Sequence, residues 1–273
     1  MDDPSIKTKK DSKAMYIPIM EELFARHAPP GTTTFDFVRE EIVEIATALG
    51  TGVPKNLGDF IYSFKFRQPL PPSIIAALPD GKAWILRNIG MSKYRFELGN
   101  LSRIIPRTDM IAIKIPDSTP EIIRMYAKGD EQAVLSRVRY NRLIDVFLGI
   151  AAYSLQNHLR TSVKGIGQIE VDELYVGINE DGAQFIVPVQ AKVKDDQHSV
   201  VQTLQDVALC KEKFPALICR AVSAQFIESK ETIVMFELVE QDGEVKVKTE
   251  KHYQLVNGSE IKAADLKSYR GNL

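Results

Sequence analysis

The stretch VDELYVGINEDGAQFIVPVQAKVK (residues 171–194) reads as two apolar strands around a turn. Both strands interrupt an otherwise apolar run with polar residues, Asp172 and Glu173 on the first, Gln190 and Lys192 on the second. Strand side chains alternate between faces, so residues two apart point the same way. Glu170 and Asp172 then share one face, and Glu173 falls on the other. On the second strand Ile186, Gln190, Lys192 and Lys194 share a face, opposite Phe185, Val187, Val189, Ala191 and Val193. If the strands pair, two carboxylates, an amide and an ammonium come together. A solvated hairpin face laced with cross-strand ion pairs would use the same residues.

The flanking sequence places this hairpin inside a larger sheet. DEQAVLSRVRYNRLIDVFLGIAAYSLQNHLR (residues 130–160) predicts one long helix capped by Asp130, with Val134, Val138, Ile144, Phe147, Leu148 and Ala151 as its core stripe. Arg139 and Arg142 sit three apart on it, with Asp145 one further step along that face. After the hairpin come an amphipathic segment, HSVVQTLQDVALCKEKF, and the strands ALICRAVSAQFI, ETIVMFELVE and EVKVKTEKHYQLV, the last two joined by a Gln241-Asp242-Gly243 turn. The order helix, strands, helix, strands predicts an α/β or α+β domain with a central mixed sheet over residues 111–273.

Residues 15–110 read differently. MYIPIMEELFARHAPPG predicts a helix ended by Pro29-Pro30-Gly31. TTFDFVREEIVEIATALG predicts a second helix, with Thr34 as cap and Gly50 at its end. NLGDFIYSFKFRQ predicts a third, capped by Asn56, and PPSIIAALP a short fourth. GKAWILRNIGMSKYRFELG then switches to period two, a β-hairpin with Gly90 in its turn. Helices followed by a hairpin is the order of a winged helix-turn-helix, whose wing would offer Lys82, Arg87, Lys93 and Arg95 to phosphates. The last helix offers only Ser73 before Ile74, Ile75, Ala76, Ala77 and Leu78. DNA would therefore be read by the preceding helix through Lys65, Arg67 and Gln68, or the module is architectural. Residues 1–14 are polar and charged, which predicts a loose tail and no secretory signal.

No apolar run approaches the roughly 18 residues of a membrane span. Cys210 and Cys219 lie in apolar sequence without a zinc-ligand set, so a reducing cytoplasm is the expected setting, and the four histidines are scattered. The net charge of −1 argues against general nucleic-acid binding, yet its distribution is uneven. Lys+Arg minus Asp+Glu is 6 − 9 = −3 over residues 1–50, 9 − 4 = +5 over 51–110, 8 − 5 = +3 over 111–165 and 12 − 18 = −6 over 166–273. A basic middle beside an acidic C-terminal part suits a chain that holds polyanion backbone in one region and cations in another. It equally suits two halves that attract each other.

A carboxylate on one strand, then an acid or amide and a lysine on the next, is what metal-dependent phosphodiester hydrolysis requires. The carboxylate holds a hard cation, the cation polarises the phosphate, and the lysine steadies the developing charge. Asp172 with Gln190-Ala191-Lys192 resembles the PD-(D/E)XK nuclease superfamily, which includes type II restriction endonucleases and repair and junction nucleases. The resemblance covers residues 131–226 and implies a restriction-endonuclease-like mixed sheet flanked by helices. It makes Asp172 the principal metal ligand, Ala191 a carbonyl ligand and Lys192 the catalytic lysine. Asp145 is then the candidate helix acid and Gln202 the candidate glutamine on the following helix. The cofactor implied is Mg²⁺, with Mn²⁺ substituting, the partner is double-stranded DNA, and the working form is a homodimer. Val171 stands where many members have proline. Gln190 replaces the second carboxylate, as in the Mrr-like branch, so Glu170 is expected to supply the missing charge. The function expected is a restriction-type DNA endonuclease. The alternatives are a DNA-repair or junction nuclease, and a non-catalytic DNA-binding regulator with a degenerate nuclease domain.

Overall fold

The computed structural model describes residues 4–100, 104–127, 129–193, 198–227, 231–241 and 244–270, with backbone only for residues 4–14, 66 and 67. The chain divides into two compact units, residues 1–101 with 164–167, and residues 102–163 with 168–273. The second unit begins ahead of residue 111, where the sequence places the boundary.

In the first unit, α1 (Pro4–His27) starts inside the segment expected as a tail. It is followed by β1 (Thr34–Val38), α2 (Arg39–Leu49), α3 (Leu57–Tyr62) continued by a π-helical turn, α4 (Pro72–Ala76), β2 (Lys82–Gly90) and β3 (Lys93–Asn100). The strands form an antiparallel sheet in the order β1-β3-β2. β1 corrects the expected helix start at Thr34. Thr-Phe-Asp-Phe-Val alternates, so Phe35 and Phe37 are buried while Thr34 and Asp36 stay exposed. The helix begins only at Arg39, where Glu41 reaches back to accept the Val38 amide at 2.8 Å. Asn56 caps α3 as expected, accepting the Asp59 amide at 3.2 Å. Phe24 sits at the centre of the core, with Phe96, Phe35 and Trp84 packed edge-on at 4.8, 5.1 and 5.5 Å between ring centroids.

The second unit is mixed α/β. β4 (Ile113–Pro116) and α5 (Glu121–Tyr126) lead to α6 (Glu131–Tyr140), α7 (Leu143–Leu148), β5 (Ala151–Val163), β6 (Gly167–Ile178) and β7 (Gln184–Val193). Then come α8 (Val200–Lys213), β8 (Ile218–Cys219), β9 (Ala221–Ile227), β10 (Thr232–Gln241), β11 (Glu244–Val256) and α9 (Ala263–Arg270). The sheet runs β4-β11-β10-β9-β7-β6-β5, with β8 also on β7. β7 is antiparallel to β6 but parallel to β9, and α8 supplies the crossover that parallel neighbours need.

The single long helix expected from Asp130 is broken twice. Asp130 caps α6 as expected, accepting the Ala133 amide at 3.0 Å. The first break comes at Asn141 and Arg142. Asn141 is buried, accepting the Ser118 amide at 2.7 Å and donating to Thr119 at 2.9 Å, and Arg142 adopts φ +49°. The second comes at Gly149, whose φ of +66° ends α7 in the left-handed region. β5 then takes residues 151–163, of which 151–160 were expected as helix.

The two sheet faces carry separate cores. Val134, Val138, Leu143 and Ile144 from α6 and α7 pack on Val187, Val189, Ala191 and Val222. Val207 of α8 packs on Ala221, Val234, Phe236 and Leu238 from the other side. Phe96 is 1% exposed and touches four aromatic rings. Phe96→Ala is therefore expected to lower the unfolding free energy of the first unit by about 3–5 kcal/mol, measured by urea denaturation.

Candidate active site

The β6–β7 ladder pairs Ile178 with Gln184 and runs to Glu173 with Val189, where the recorded pairing ends. Beyond it, Asp172 Oδ2 accepts the Ala191 amide at 2.9 Å, so a side chain does there what a strand carbonyl does along the rest of the ladder. Its Oδ1 accepts no hydrogen bond from any described residue. Burial raises the Asp172 carboxyl above the ordinary carboxylate range against the pull of the Ala191 amide and Lys192, and Glu131, at the start of α6, adds to the rise. Glu131 is thus an acid whose charge acts on Asp172. Its signal in the sequence was its place in the first helical turn directly after the Asp130 cap.

Gln190 and Lys192 lie on the same face as Asp172, the one covered by α8. Gln190 Nε2 donates to Asp206 Oδ2 at 2.5 Å, leaving its Oε1 without a donor among the described residues. Lys192 Nζ donates to Gln202 Oε1 at 3.4 Å, so the expected glutamine of the following helix stands beside the lysine. Asp206 is 2% exposed, and burial, with Asp172 nearby, pushes its carboxyl well above the ordinary range despite the Gln190 donor. Gln190 is opposite Ser223 in the β7–β9 register, and Lys192 is opposite Gln225. His198 ties both together, 2.5 Å from Ser223 Oγ and 2.9 Å from Gln225 Oε1. Burial pulls its pKa down to about 4, so the imidazole is neutral at physiological pH. Because Gln225 Oε1 can only accept, Nε2 carries the proton and Nδ1 accepts from the Ser223 hydroxyl. Asp206, His198, Ser223 and Gln225 were not singled out from the sequence, because each is an ordinary polar residue until the crossover brings it under β7.

Other expected site residues are placed elsewhere. Glu170 is held by Arg160 at 3.2 Å, with His158 at 3.6 Å. Asp145 accepts from Arg142 and from the Ala152 amide, the latter at 2.9 Å, fastening α7 to β5 rather than joining Asp172. Arg139 is bound inward: its Nε donates at 2.8 Å to Glu173, which has no exposed surface and also accepts from Ser154 at 2.6 Å. In the first unit Arg95 forks onto Asp36 at 2.6 and 2.9 Å, Arg87 is 3.1 Å from Glu97, and Lys82 donates to Asn100 at 2.6 Å. Lys65 donates to Asn88 at 3.3 Å, and burial, with Arg87 close by, draws its pKa down to about 8. Lys93 is exposed. The side chain of Arg67 and all of Lys194 lie outside the described residues.

Asp172 Oδ1 and Gln190 Oε1 are hard oxygen donors on one sheet face, neither occupied by any described hydrogen-bond donor, and Ala191 follows Gln190 on the strand. That set fits a small divalent cation that keeps most of its waters. It does not amount to a closed cage: among the described residues no group of three or more His, Cys, Asp or Glu gathers as a metal site. Nor is any helix among them long and apolar enough to cross a membrane.

No protein-family model matches the chain, and no solved structure does. A stretch of 72 residues is 40% identical to part of the N-acetyl-D-glucosamine kinase of Erwinia tasmaniensis, covering 26% of this chain and 23% of that enzyme. The chain therefore spans less than a quarter of the relative it matches.

Two outcomes follow from the buried charges. Asp206 has a raised pKa in the folded state, so it opposes folding as pH rises above its unfolded value of about 4. Asp206→Asn is expected to remove that loss, so wild type should weaken relative to the variant in urea titrations from pH 4 towards 8. Arg139→Ala would leave Glu173 buried without its cation and is expected to cost about 2–4 kcal/mol, an intermediate value because Arg139 is itself one-third exposed.

Proposed function

We propose that the chain is a metal-dependent DNA endonuclease of restriction type, built on the PD-(D/E)XK plan. The observation that carries this reading is the convergence of Asp172, Gln190 and Lys192 on one face just past the β6–β7 ladder, with Gln202 against the lysine. The order α6, β5 to β7, α8, β9 agrees with the arrangement that the resemblance implies. The first unit, helices closed by a three-stranded antiparallel sheet, agrees with a winged-helix reading. The 72-residue likeness to a kinase covers too little of that enzyme to bring its activity to this chain.

In this reading Asp172 Oδ1, Gln190 Oε1 and the Ala191 carbonyl would hold Mg²⁺, which would supply an acidified water and a polarised phosphoryl oxygen. Lys192, oriented by Gln202, places its ammonium beside the phosphoryl oxygens, where negative charge grows as the water oxygen attacks phosphorus. One P–O bond forms to that oxygen, one P–O bond to the sugar breaks, and a proton passes to the departing sugar oxygen. Asp206 keeps Gln190 in place through its amide nitrogen. Duplex DNA is held by the first unit, with Lys93 available and with Arg87 and Arg95 exchanging their carboxylate partners for phosphates. Two copies act together, because a duplex has two strands to cut.

A second reading, a DNA-binding regulator without catalysis, is favoured by the neutral Gln190 and by the commitment of Glu170 to Arg160. A third, a repair or junction nuclease, changes only the DNA substrate.

Incubating the purified protein with plasmids of differing sequence and methylation in Mg²⁺ or Mn²⁺ separates these readings. Cleavage that falls at least a thousandfold in Lys192→Ala and in Asp172→Asn is expected. Intact DNA throughout, or a Lys192→Ala variant as active as wild type, would overturn the enzyme. Calorimetric Mn²⁺ titration should show saturable binding that is lost in Asp172→Ala. It should also weaken on acidification from above the ordinary carboxylate range, because burial already disfavours the ionised Asp172.

A further inference from the structure

The chain has two cysteines, and the fold brings them together. Cys210 stands in the last turn of α8 and Cys219 in β8. Between them the Phe214 amide donates to the Cys210 carbonyl at 2.9 Å and the Leu217 amide to the Phe214 carbonyl at 3.0 Å, which turns the chain back on itself. The Cys210 thiol then donates to Cys219. Cys210 is 2% exposed, whereas Cys219 is only half-buried. Giving its proton to that hydrogen bond, together with burial, raises the Cys210 thiol above the ordinary range. Accepting it draws the Cys219 thiol down against its own burial, and the Lys211 ammonium adds to the fall. A lowered thiol that solvent reaches is the nucleophilic kind, and a raised, buried one beside it is inert until a partner comes within reach. The pair also joins two elements of the candidate site. Cys210 is one helical turn from Asp206, which holds Gln190, and Cys219 lies opposite Ile186 on β7, the strand that carries Gln190 and Lys192.

The geometry points to a redox modification site, in which a peroxide oxidises Cys219 and Cys210 resolves it into a disulfide that fastens the end of α8 to the sheet. The Cys219 thiolate attacks one peroxide oxygen, the O–O bond breaks, and the departing hydroxide takes up the proton Cys219 had released and leaves as water. Cys219 is then a sulfenic acid. The Cys210 sulfur displaces the sulfenic oxygen, which leaves as a second water carrying the Cys210 proton, and the S–S bond forms. Two thiols lose two electrons in all, and one peroxide gains them. A dithiol reductant reverses the bond by exchange. No other cysteine exists in the chain to compete for the pairing. The site does not depend on the nuclease reading, since its chemistry uses neither Asp172 nor Lys192.

The test treats the reduced full chain with hydrogen peroxide at neutral pH, blocks remaining thiols with an alkylating agent in denaturant, and maps the digest by mass spectrometry. Wild type is expected to yield one peptide pair joined through Cys210 and Cys219, two hydrogens lighter than its parts, and dithiothreitol should restore both thiols. Its urea midpoint should rise on oxidation, because the cross-link restrains the unfolded chain, and the rise should be absent from Cys210→Ser treated in the same way. Dimedone, which traps sulfenic acids, should label Cys219 in Cys210→Ser and label Cys210 in Cys219→Ser at least about tenfold less. Two alkylated thiols after peroxide, a disulfide found only between chains, or over-oxidised Cys219 beside an untouched Cys210 overturns the site. Equal dimedone labelling of the two variants overturns the roles given to the two sulfurs, and an unchanged wild-type midpoint overturns the fastening of α8. The wild-type map stands even where a variant fails to fold.

Discussion

Asp172 takes the amide of Ala191, and much of the second unit's candidate chemistry depends on that hydrogen bond. A buried strand amide has to be paired, and a carboxylate can pair it without a neighbouring strand. β6 can therefore leave the β7 ladder after Glu173 without stranding a donor. The departure keeps one carboxylate oxygen of Asp172 uncovered on the face that Gln190 and Lys192 share by strand alternation, while their backbone stays paired with β9. An ordinary strand carbonyl in that place would satisfy the amide and offer no charge.

The cost of burying polar groups shapes the rest of that face. Asp206 and Gln190 satisfy each other, and His198 is shared between Ser223 and Gln225 while packing edge-on to Phe236 at 5.0 Å. Because parallel strands put Ser223 and Gln225 directly beside Gln190 and Lys192, one histidine reaches two rungs of the sheet. On the opposite face Glu173 is compensated by Arg139 and Ser154. Farther along the sheet Glu237 is compensated by Arg220 at 2.8 and 3.0 Å and by Lys248 at 3.0 Å. In each case the charge is taken out of water only where donors meet it, as the low dielectric of an interior demands.

Much of this was legible in advance. The alternation in residues 171–194 predicts which polar residues share a face, and Asp172, Gln190 and Lys192 do share one. The caps at Asn56 and Asp130 and the hairpin over residues 82–100 were readable because they rest on chemistry within a few residues of chain. The errors have equally local causes. Phe35 and Phe37 alternate for too few residues to outweigh the helical period that follows them. Residues 130–160 carry a continuous apolar stripe; the break at Arg142 rests on a buried Asn141 whose partners, Ser118 and Thr119, lie more than twenty positions upstream, and the break at Gly149 on that glycine's left-handed backbone.

The amino-acid sequence by itself determined the periodicities, the caps and the pairing of polar positions on two strands, because those follow from backbone geometry and nearest neighbours. Only the tertiary structure decided which polar groups meet. It assigned Glu170 to Arg160, Asp145 to Arg142 and Arg139 to Glu173, and it brought Glu131, Asp206 and His198 towards Asp172 and Lys192. The parallel crossover through α8 sets the meetings of Asp206 with Gln190 and of His198 with Ser223 and Gln225, and the need to compensate a buried charge joins Glu173 to Arg139, 34 positions away; neither constraint acts between nearest neighbours.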